Sequence, residues 1–246
     1  MPTIRIPNAW NPRPYQRKFW DYFERDGKRG VAVWPRRAGK DDVCLHLTAT
    51  KAIQRVGTYW YLLPEAAQAR KAIWEAVNPH SGKRRINEAF PREIRKRTRD
   101  TDMFIEFVNG ATWQVVGSDN FNSLVGSPPV GVVFSEWALA NPAAWPYVSP
   151  ILEENNGWAA FNYTPRGKNH GYDTYELARR SMLEDGEWFA EKLTADQTGV
   201  FDAERLTRIR RDLMKLLGET AGDAFFQQEY YTSFEAAILG SVYGHW

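Results

Sequence analysis

The chain has 246 residues, of which 43% are hydrophobic and 25% charged, with a formal net charge of +2. This composition supports a folded core and excludes an intrinsically disordered chain, and the length suits one large α/β domain, alone or with a small appended region. The single cysteine, Cys44, excludes an internal disulfide and a cysteine-rich metal site.

Strand and helix patterns alternate along the chain. A Pro-rich arm is expected over residues 1–14, and the charged residues 82–102 are expected to form surface helix and loop. Helical spacing of apolar and aromatic residues predicts helices at residues 15–24, 40–53, 65–77, 172–185, 202–217 and 222–231. Short apolar runs predict strands at residues 30–34, 58–63, 103–108, 112–116, 131–134, 158–163 and 188–193. Asn109 and Gly110 predict a hairpin turn between two of these strands, and Asp202 suits the N-cap of a helix.

This alternation predicts a mostly parallel central sheet flanked by helices on both faces. In sheets of this kind the ligand lies beyond the carboxyl ends of the strands. Polar segments follow three of the predicted strands at that position, namely residues 36–40, 135–136 and 164–170. The sequence therefore predicts a ligand site at this edge of the sheet.

The first polar segment, WPRRAGKD at residues 34–41, departs from the usual phosphate loop G-x-x-x-x-G-K-[ST] in its first and last residues. Gly39 allows the backbone to approach phosphate oxygens, while Lys40 and the helix N-terminus supply positive charge. Arg36 and Arg37 add guanidinium groups beside the same position, where an arginine would stabilise charge developing in phosphoryl transfer. Alone, the segment is equally compatible with a surface turn between a strand and a helix.

The second polar segment supplies an acid. Glu136 suits the residue that orients or activates an attacking water, and Ser135 stands where a magnesium-holding Asp is usual. Asp41 replaces the usual hydroxyl residue of the phosphate loop and would bind Mg²⁺ directly or through water, with Asp42 as a second carboxylate. The alternative role for Asp41 is that of an acid favouring the helix start.

The third polar segment follows the apolar strand at residues 158–163. Thr164 lies at the strand tip, where its hydroxyl would sense the γ-phosphate or the attacking water. Arg166 and Lys168 add donors, and His170 is interpreted as part of an ordinary polar loop.

Together, the three segments resemble the ATPase domain of the phage large terminase subunit, a P-loop NTPase of the RecA/ASCE type that packages viral DNA. WPRRAGKD resembles the arginine-containing Walker A motif of that family, VVFSEWA its Walker B motif with Ser135 in the Asp position, and NYTPRGKNH its coupling motif. The order and spacing match, and the resemblance extends from about residue 14 to the C-terminus. Tyr15 and Gln16 resemble the family's adenine-contacting segment.

The resemblance implies a role for each matching residue. Lys40 and Arg36 would contact phosphates, and Gln16 would contact the adenine edge. Glu136 would be catalytic, and Thr164 would couple hydrolysis to movement. The implied cofactors are ATP and Mg²⁺, and the implied metal-site residues are Asp41 and Ser135. The implied ATP-binding residues are Tyr15, Gln16, Pro35, Arg36, Arg37, Ala38, Gly39, Lys40, Asp41 and Asp42.

The resemblance also implies a domain division. Residues 1–200 would form the ATPase core with the adenine-contacting segment, and residues 201–246 a helical lid or linker region. In the family that linker, resembled here by residues 228–246, leads to a nuclease domain, which is expected to be absent from this chain. We therefore expect no nuclease activity.

The implied partners are double-stranded DNA, the portal protein, the small terminase subunit and further copies of this chain in a ring, usually pentameric. DNA phosphates would contact the basic run at residues 83–99. A neighbouring subunit would supply an arginine, for which the candidates are Arg84, Arg85, Arg97, Arg99, Arg208, Arg210 and Arg211. The host cytoplasm is the expected location, without membrane association, because no segment has the apolar length of a signal or membrane span.

Three other functions stay open at this stage. A two-lobed helicase or other DNA-dependent ATPase would need a second RecA-like domain after Thr164. A small-molecule kinase would usually keep the full Gly-rich loop and carry a lid with arginines. A non-catalytic structural module with a decayed nucleotide site would fit the departures at Trp34, Asp41 and Ser135.

Overall fold

The computed structural model describes residues 10–119 and 128–235. Most of the predicted N-terminal arm and the end of the predicted linker at residues 228–246 lie outside these ranges. The strands are Arg29–Val33 (β1), Thr58–Leu63 (β2), Arg95–Arg99 (β3), Phe104–Phe107 (β4), Thr112–Gly117 (β5), Pro129–Ser135 (β6), Trp158–Tyr163 (β7) and Trp188–Lys192 (β8). They form one sheet in the order β3-β4-β5-β2-β6-β7-β1-β8.

The sheet is mostly parallel. All neighbouring pairs from β5 to β8 run parallel, whereas β3 and β4 form an antiparallel edge. The hairpin between β4 and β5 turns at Asn109 and Gly110 as predicted, and Gly110 has a φ of 91°, which a glycine adopts without steric cost. The predicted α/β fold class is confirmed.

Helices cover both faces of the sheet. Their bounds are Arg17–Glu24 (α1), Lys40–Gln54 (α2), Ala66–Ala69 (α3), Arg85–Ala89 (α4), Ala144–Glu154 (α5), His170–Glu184 (α6), Ala195–Thr198 (α7), Ala203–Leu217 (α8) and Glu219–Tyr231 (α9). Short 3₁₀ turns lie at Pro14–Gln16, Arg92–Ile94 and Trp137–Leu139. Within the two described ranges, no helix has both the length and the apolar character needed to cross a bilayer.

The central strands are buried on both faces, which explains their nearly continuous apolar sequences. In β1, Val31 and Val33 belong to one hydrophobic core and Ala32 to the other. In β7, Phe161 and Ala160 divide between the same two cores. Helices α1 and α2 cover one face, and α5 and α6 the other. Because both faces are filled, the strand ends are left as the place for a ligand.

The clearest differences from the sequence predictions concern three elements. The helix predicted over residues 65–77 is shorter, because α3 passes directly into a π-helical turn at Arg70–Trp74, where the helical segment ends. The charged residues 82–102 contain β3, an exposed edge strand that its run of basic residues conceals. Helix α5 is absent from the prediction because Pro150, which lies inside it, argues against a helix.

The last two helices pack against each other with a small hydrophobic cluster of their own. The fully or nearly buried members of this cluster are Ala195, Leu206 and Phe226. Asp202 caps α8 as predicted, since its side chain accepts a hydrogen bond from the backbone amide of Arg205 at 2.7 Å. The division between an ATPase core and a helical region at residue 200 stays a prediction.

Candidate functional site

The three polar segments predicted from the sequence meet at one edge of the sheet. Strands β6, β7 and β1 are neighbours in this order and run parallel, so their carboxyl ends lie side by side. Glu136 follows β6, Thr164 follows β7, and the loop of residues 34–39 follows β1. The strand order therefore assembles the site from segments that are far apart in the sequence.

The loop between β1 and α2 has the conformation of an anion-binding turn. Gly39 has a φ of 68° and Arg37 a φ of 64°, so the chain turns sharply before the first residue of α2. The first backbone amides of any helix lack helical partners, and the helix dipole places positive charge at that end. A loop that leads directly into such an end is suited to phosphate groups.

Residues before α1 support this loop. Gln16 is buried, and its Nε2 donates to the carbonyl oxygens of Ala38 at 2.9 Å and Gly39 at 3.3 Å. Its Oε1 accepts a hydrogen bond from the backbone amide of Arg13 at 3.0 Å. Tyr15 Oη donates to the same Ala38 carbonyl at 3.1 Å. Both side chains therefore fix the loop, and their contact with adenine stays a prediction.

The ammonium group of Lys40 is buried against three acceptors. Nζ donates to Thr164 Oγ1 at 2.9 Å and to the carbonyl oxygens of Trp34 and Pro35 at 3.3 Å each. The Thr164 hydroxyl donates in turn to the Trp34 carbonyl at 3.1 Å. The predicted phosphate-binding lysine and the predicted coupling threonine are therefore in direct contact.

Glu136 lies one residue beyond β6 with a φ of 52°, a left-handed conformation that is uncommon for a residue with a side chain. Burial raises the pKa of its carboxyl group, and the nearby Lys40 ammonium, which lowers this pKa, offsets the effect of burial only in part. A carboxylate with a raised pKa accepts a proton more readily near neutral pH, which is the property of a general base. Strained backbone of this kind is concentrated at functional sites.

Asp41 is held by two hydroxyl groups. Its Oδ1 accepts hydrogen bonds from Ser135 Oγ and from Tyr61 Oη, both at 2.7 Å. Asp41 lines the cavity described below, whereas Ser135 and Tyr61 are fully buried behind it. On the other side, Arg85 Nη1 lies 3.6 Å from Asp41 Oδ2.

The Asp41 carboxylate fits a magnesium ion shared with phosphate groups. Mg²⁺ prefers oxygen ligands, and it is usually bound by one or two carboxylates together with waters and substrate phosphates. In the part of the chain that the structure describes, no group of three His, Cys, Asp or Glu side chains could hold a metal ion by itself. The position of Ser135 behind Asp41 suits a residue that orients the carboxylate.

A cavity of about 320 Å³ opens between the three strand tips. The predicted site residues that line it are Arg36, Arg37, Ala38, Gly39, Lys40, Asp41, Glu136 and Thr164. The predicted site residues outside its lining are Tyr15, Gln16, Pro35, Asp42 and Ser135.

The wall of the cavity also contains residues that are not among the site residues predicted for this chain, namely Gln68, Arg85, Leu139, Arg166 and Glu229. Five basic side chains and three acidic ones line this cavity, so it favours a polyanion.

Two of the additional wall residues have informative positions. Glu229, near the end of α9, is 1% exposed and accepts a hydrogen bond from Arg36 Nε at 2.6 Å and another from Arg166 Nη1. No local sequence pattern indicates this contact, because 193 positions separate Glu229 from Arg36. Arg85 is a candidate for an arginine supplied by a neighbour, yet it lines the cavity of its own chain.

Sequence comparison gives one informative relative. No protein-family model matches the chain. The chain is 25% identical over 174 residues to the large terminase subunit of Thermus phage G20c. This match covers 65% of the chain and 35% of the phage protein, so the chain spans about a third of the length of this curated relative.

Solved structures give the fold. The large terminase ATPase domain of Thermus phage P74-26 aligns with a TM-score of 0.69 and 19% identity, over 92% of this chain and 95% of that one. The large terminase of a thermophilic bacteriophage in complex with ADP aligns with a TM-score of 0.66 and 15% identity, over 92% of this chain and 54% of that one. The same phage protein in complex with ATP-γ-S gives a TM-score of 0.66 at 16% identity, over 92% of this chain and 53% of that one. The chain therefore has the fold of these large terminase ATPase domains, and the resemblance predicted from its sequence is confirmed.

Replacing Glu136 by Gln should stabilise the free protein at neutral pH. Burial raises the pKa of this carboxyl above its ordinary value of 4.5, so folding disfavours the ionised form. The advantage of the variant should be absent well below pH 4.5 and should grow as the pH rises through and above that value. Thermal unfolding from about pH 4 to about pH 8 measures this difference.

The control is Glu154→Gln, which changes an exposed carboxyl in α5 and should alter the unfolding temperature little. A Glu136→Gln variant that is less stable than the wild type at neutral pH would contradict the effect assigned to burial.

Proposed function

We propose that this chain is the ATPase motor domain of a phage large terminase, which hydrolyses ATP to drive double-stranded viral DNA into a preformed capsid. The observation that carries the proposal is the meeting of Lys40, Glu136 and Thr164 around one positively charged cavity. The fold of large terminase ATPase domains and the sequence match to a large terminase support it. A relative with the same fold has been solved with ADP and with ATP-γ-S, which supports ATP as the ligand.

The phosphate loop would bind the triphosphate of ATP. Gly39 and the amides at the start of α2 would surround the phosphate oxygens, and Lys40 would exchange its present acceptors for them. Arg36 and Arg37 would add positive charge from the same loop. Tyr15 and Gln16 would contact the adenine from the segment that supports this loop.

Glu136 would act as the general base of hydrolysis. A water attacks the γ-phosphorus, its proton passes to the Glu136 carboxylate, and the bond from the γ-phosphorus to the bridging oxygen of ADP breaks. Lys40 and Arg36 would stabilise the charge on the transferred phosphoryl group and on the leaving ADP. An arginine from a neighbouring subunit would add to this charge.

Asp41 would hold Mg²⁺, and Ser135 would orient Asp41 from behind. Held there with ATP, Mg²⁺ would supply positive charge that offsets the negative charge of the phosphates. A typical P-loop NTPase holds the ion with a Ser or Thr of the phosphate loop and an Asp at the end of the second motif's strand. This chain has the carboxylate and the hydroxyl exchanged between these positions, and a 2.7 Å hydrogen bond joins them.

Thr164 would couple hydrolysis to movement. Its hydroxyl now accepts from Lys40 and donates to the Trp34 carbonyl, so it connects the end of β7 to the loop after β1. When Lys40 moves to the phosphates, Thr164 loses one partner. The segment after β7 would then change position with each cycle of ATP binding and release.

The assembly would be a homo-oligomeric ring, a pentamer, in the host cytoplasm at the portal, with the small terminase subunit and DNA as further partners. Residues 83–99 include the exposed edge strand β3, in which Arg97 and Arg99 lie on the surface. Basic side chains on such an edge suit contact with DNA phosphates independently of sequence. Nuclease activity would belong to a separate domain.

Lys40→Ala and Glu136→Gln should separate ATP binding from hydrolysis. Lys40→Ala removes a phosphate contact and should weaken ATP binding and abolish turnover. Glu136→Gln should bind ATP but lose turnover by about 10²–10⁴-fold, as expected for the loss of a general base. Turnover is measured with DNA and the other motor components present, because the neighbouring arginine requires assembly.

The matched control is Lys215→Ala, an exposed lysine of α8, which should retain both properties. Absence of turnover by the wild-type chain in the assembled motor, or full turnover by Glu136→Gln, would contradict the proposed function.

Exchanging the carboxylate and the hydroxyl should test the magnesium site. Asp41→Thr removes the carboxylate, and Ser135→Asp brings two carboxylates together, so each change should weaken Mg²⁺-dependent ATP binding by on the order of tenfold. The double variant rebuilds the usual hydroxyl and carboxylate arrangement and should recover most of the affinity. Calorimetric titration of ATP with and without Mg²⁺ measures these affinities.

Thermal unfolding establishes that each of these variants is folded. Losses that simply add in the double variant would show that the two residues do not act as one unit.

A further inference from the structure

A buried carboxylate lines the cavity that we assign to phosphate groups. Glu229 is 1% exposed, and its carboxylate accepts hydrogen bonds from Arg36 Nε at 2.6 Å, from Arg166 Nη1, and from Gln228 Nε2 at 3.2 Å. A lone carboxylate at this position would repel a triphosphate. Its presence therefore needs a physical reason.

The two arginines neutralise this repulsion. Burial raises the pKa of Glu229, but the guanidinium groups of Arg166 and Arg36 more than offset it, so the pKa lies below the ordinary value. The carboxylate is therefore ionised, and the three side chains together carry one net positive charge. The cluster attracts anions although it contains an acid.

The hydrogen bonds leave part of each guanidinium free to face the cavity. Arg36 uses Nε toward Glu229, and Arg166 uses Nη1, while both residues line the cavity. A guanidinium has further N–H donors in a fixed planar fork, so holding one edge sets the direction of the other. Long arginine side chains otherwise lose rotamer entropy when they bind a phosphate.

The backbone strengthens the same connection. The amide of Arg36 donates to the carbonyl oxygen of Glu229 at 2.9 Å, so the phosphate loop and α9 are joined by main-chain and side-chain bonds. Arg37, the next residue of the loop, is the one with a φ of 64°. Helix α9 is therefore a supporting wall of the loop.

We propose that Glu229 is a positioning residue that orients the guanidinium groups of Arg36 and Arg166 toward the terminal phosphates. Because Glu229 belongs to α9, this helix is thereby linked through the two arginines to the bound phosphates. The proposal rests on the proposed function for the identity of the ligand. Glu229 itself does not contact the reacting atoms. When phosphates bind, the arginines keep their edges on Glu229 and use their remaining donors for phosphate oxygens.

The first test uses inorganic tripolyphosphate and nitrogen-15 NMR of arginine Nε–H groups. The Arg36 signal, identified by its loss in Arg36→Lys, should be protected from solvent exchange in the wild type and should shift when tripolyphosphate is added. Glu229→Gln keeps an acceptor oxygen but loses the negative charge, so the protection should fall clearly below that of the wild type. A protected signal that does not respond to tripolyphosphate, or protection in Glu229→Gln equal to that of the wild type, overturns the proposal.

The second test measures steady-state ATP hydrolysis in the assembled motor. Glu229→Gln should lower kcat by about tenfold or more with a much smaller change in KM, because aimed charge acts mainly in the transition state. Glu229→Gln should lower kcat clearly less in an Arg36→Ala background, because Arg36 is one of the two arginines that Glu229 positions. An equal loss in both backgrounds indicates a general structural role and overturns the proposal.

Controls separate positioning from folding and from the proposed function. Glu219→Gln changes an exposed carboxylate of the same helix and should leave kcat unchanged. If Glu229→Gln does not fold, Glu229→Asp serves as the second variant, because it keeps the negative charge but has a shorter side chain. Glu229→Asp should lower kcat, and a kcat equal to that of the wild type overturns the proposal. A wild-type chain without turnover contradicts the proposed function, whereas the NMR result still decides the role of Glu229.

Discussion

The adjacency of three parallel strand ends is the constraint on which the site depends. Because β6, β7 and β1 are neighbours, the ammonium of Lys40 reaches the Thr164 hydroxyl and the carbonyl of Trp34, and Glu136 lines the same cavity. A buried ammonium needs acceptors for its hydrogens, and here each acceptor lies in a segment that follows a strand. Under the proposed function, phosphate binding at Lys40 would require a rearrangement of these hydrogen bonds at the ends of β1 and β7.

The site is built at some cost in stability. Glu136 and Arg37 have left-handed backbone conformations, and burial disfavours the charge of the Glu136 carboxylate. Such features persist only where the surrounding structure determines them, here the filled cores on both sheet faces and the bonds from Gln16 to the loop. Strained backbone and a buried charge at one site are expected of an enzyme in which the active site lowers the stability of the fold. A decayed nucleotide site would not need to retain these destabilising features.

Local patterns predicted most strands and the three polar tips, because a buried parallel strand and the polar residue after it are neighbours in sequence. They did not predict that Glu229 and Arg85 line the cavity, because the contacts of these residues depend on tertiary packing alone. The edge strand β3 was concealed by its basic composition, and α5 by Pro150. Asp41 and Ser135, two departures from the usual motifs that are far apart in the sequence, are joined by a hydrogen bond, which sequence patterns did not predict.

A structure with ATP-γ-S and Mg²⁺ bound tests the central claim most directly. The account predicts that the terminal thiophosphate lies within hydrogen-bond distance of Lys40 Nζ, that the Lys40 to Thr164 bond has changed, and that Glu136 faces the terminal phosphorus. A nucleotide bound elsewhere on the chain, or a terminal phosphate out of reach of both Lys40 and Glu136, would contradict it.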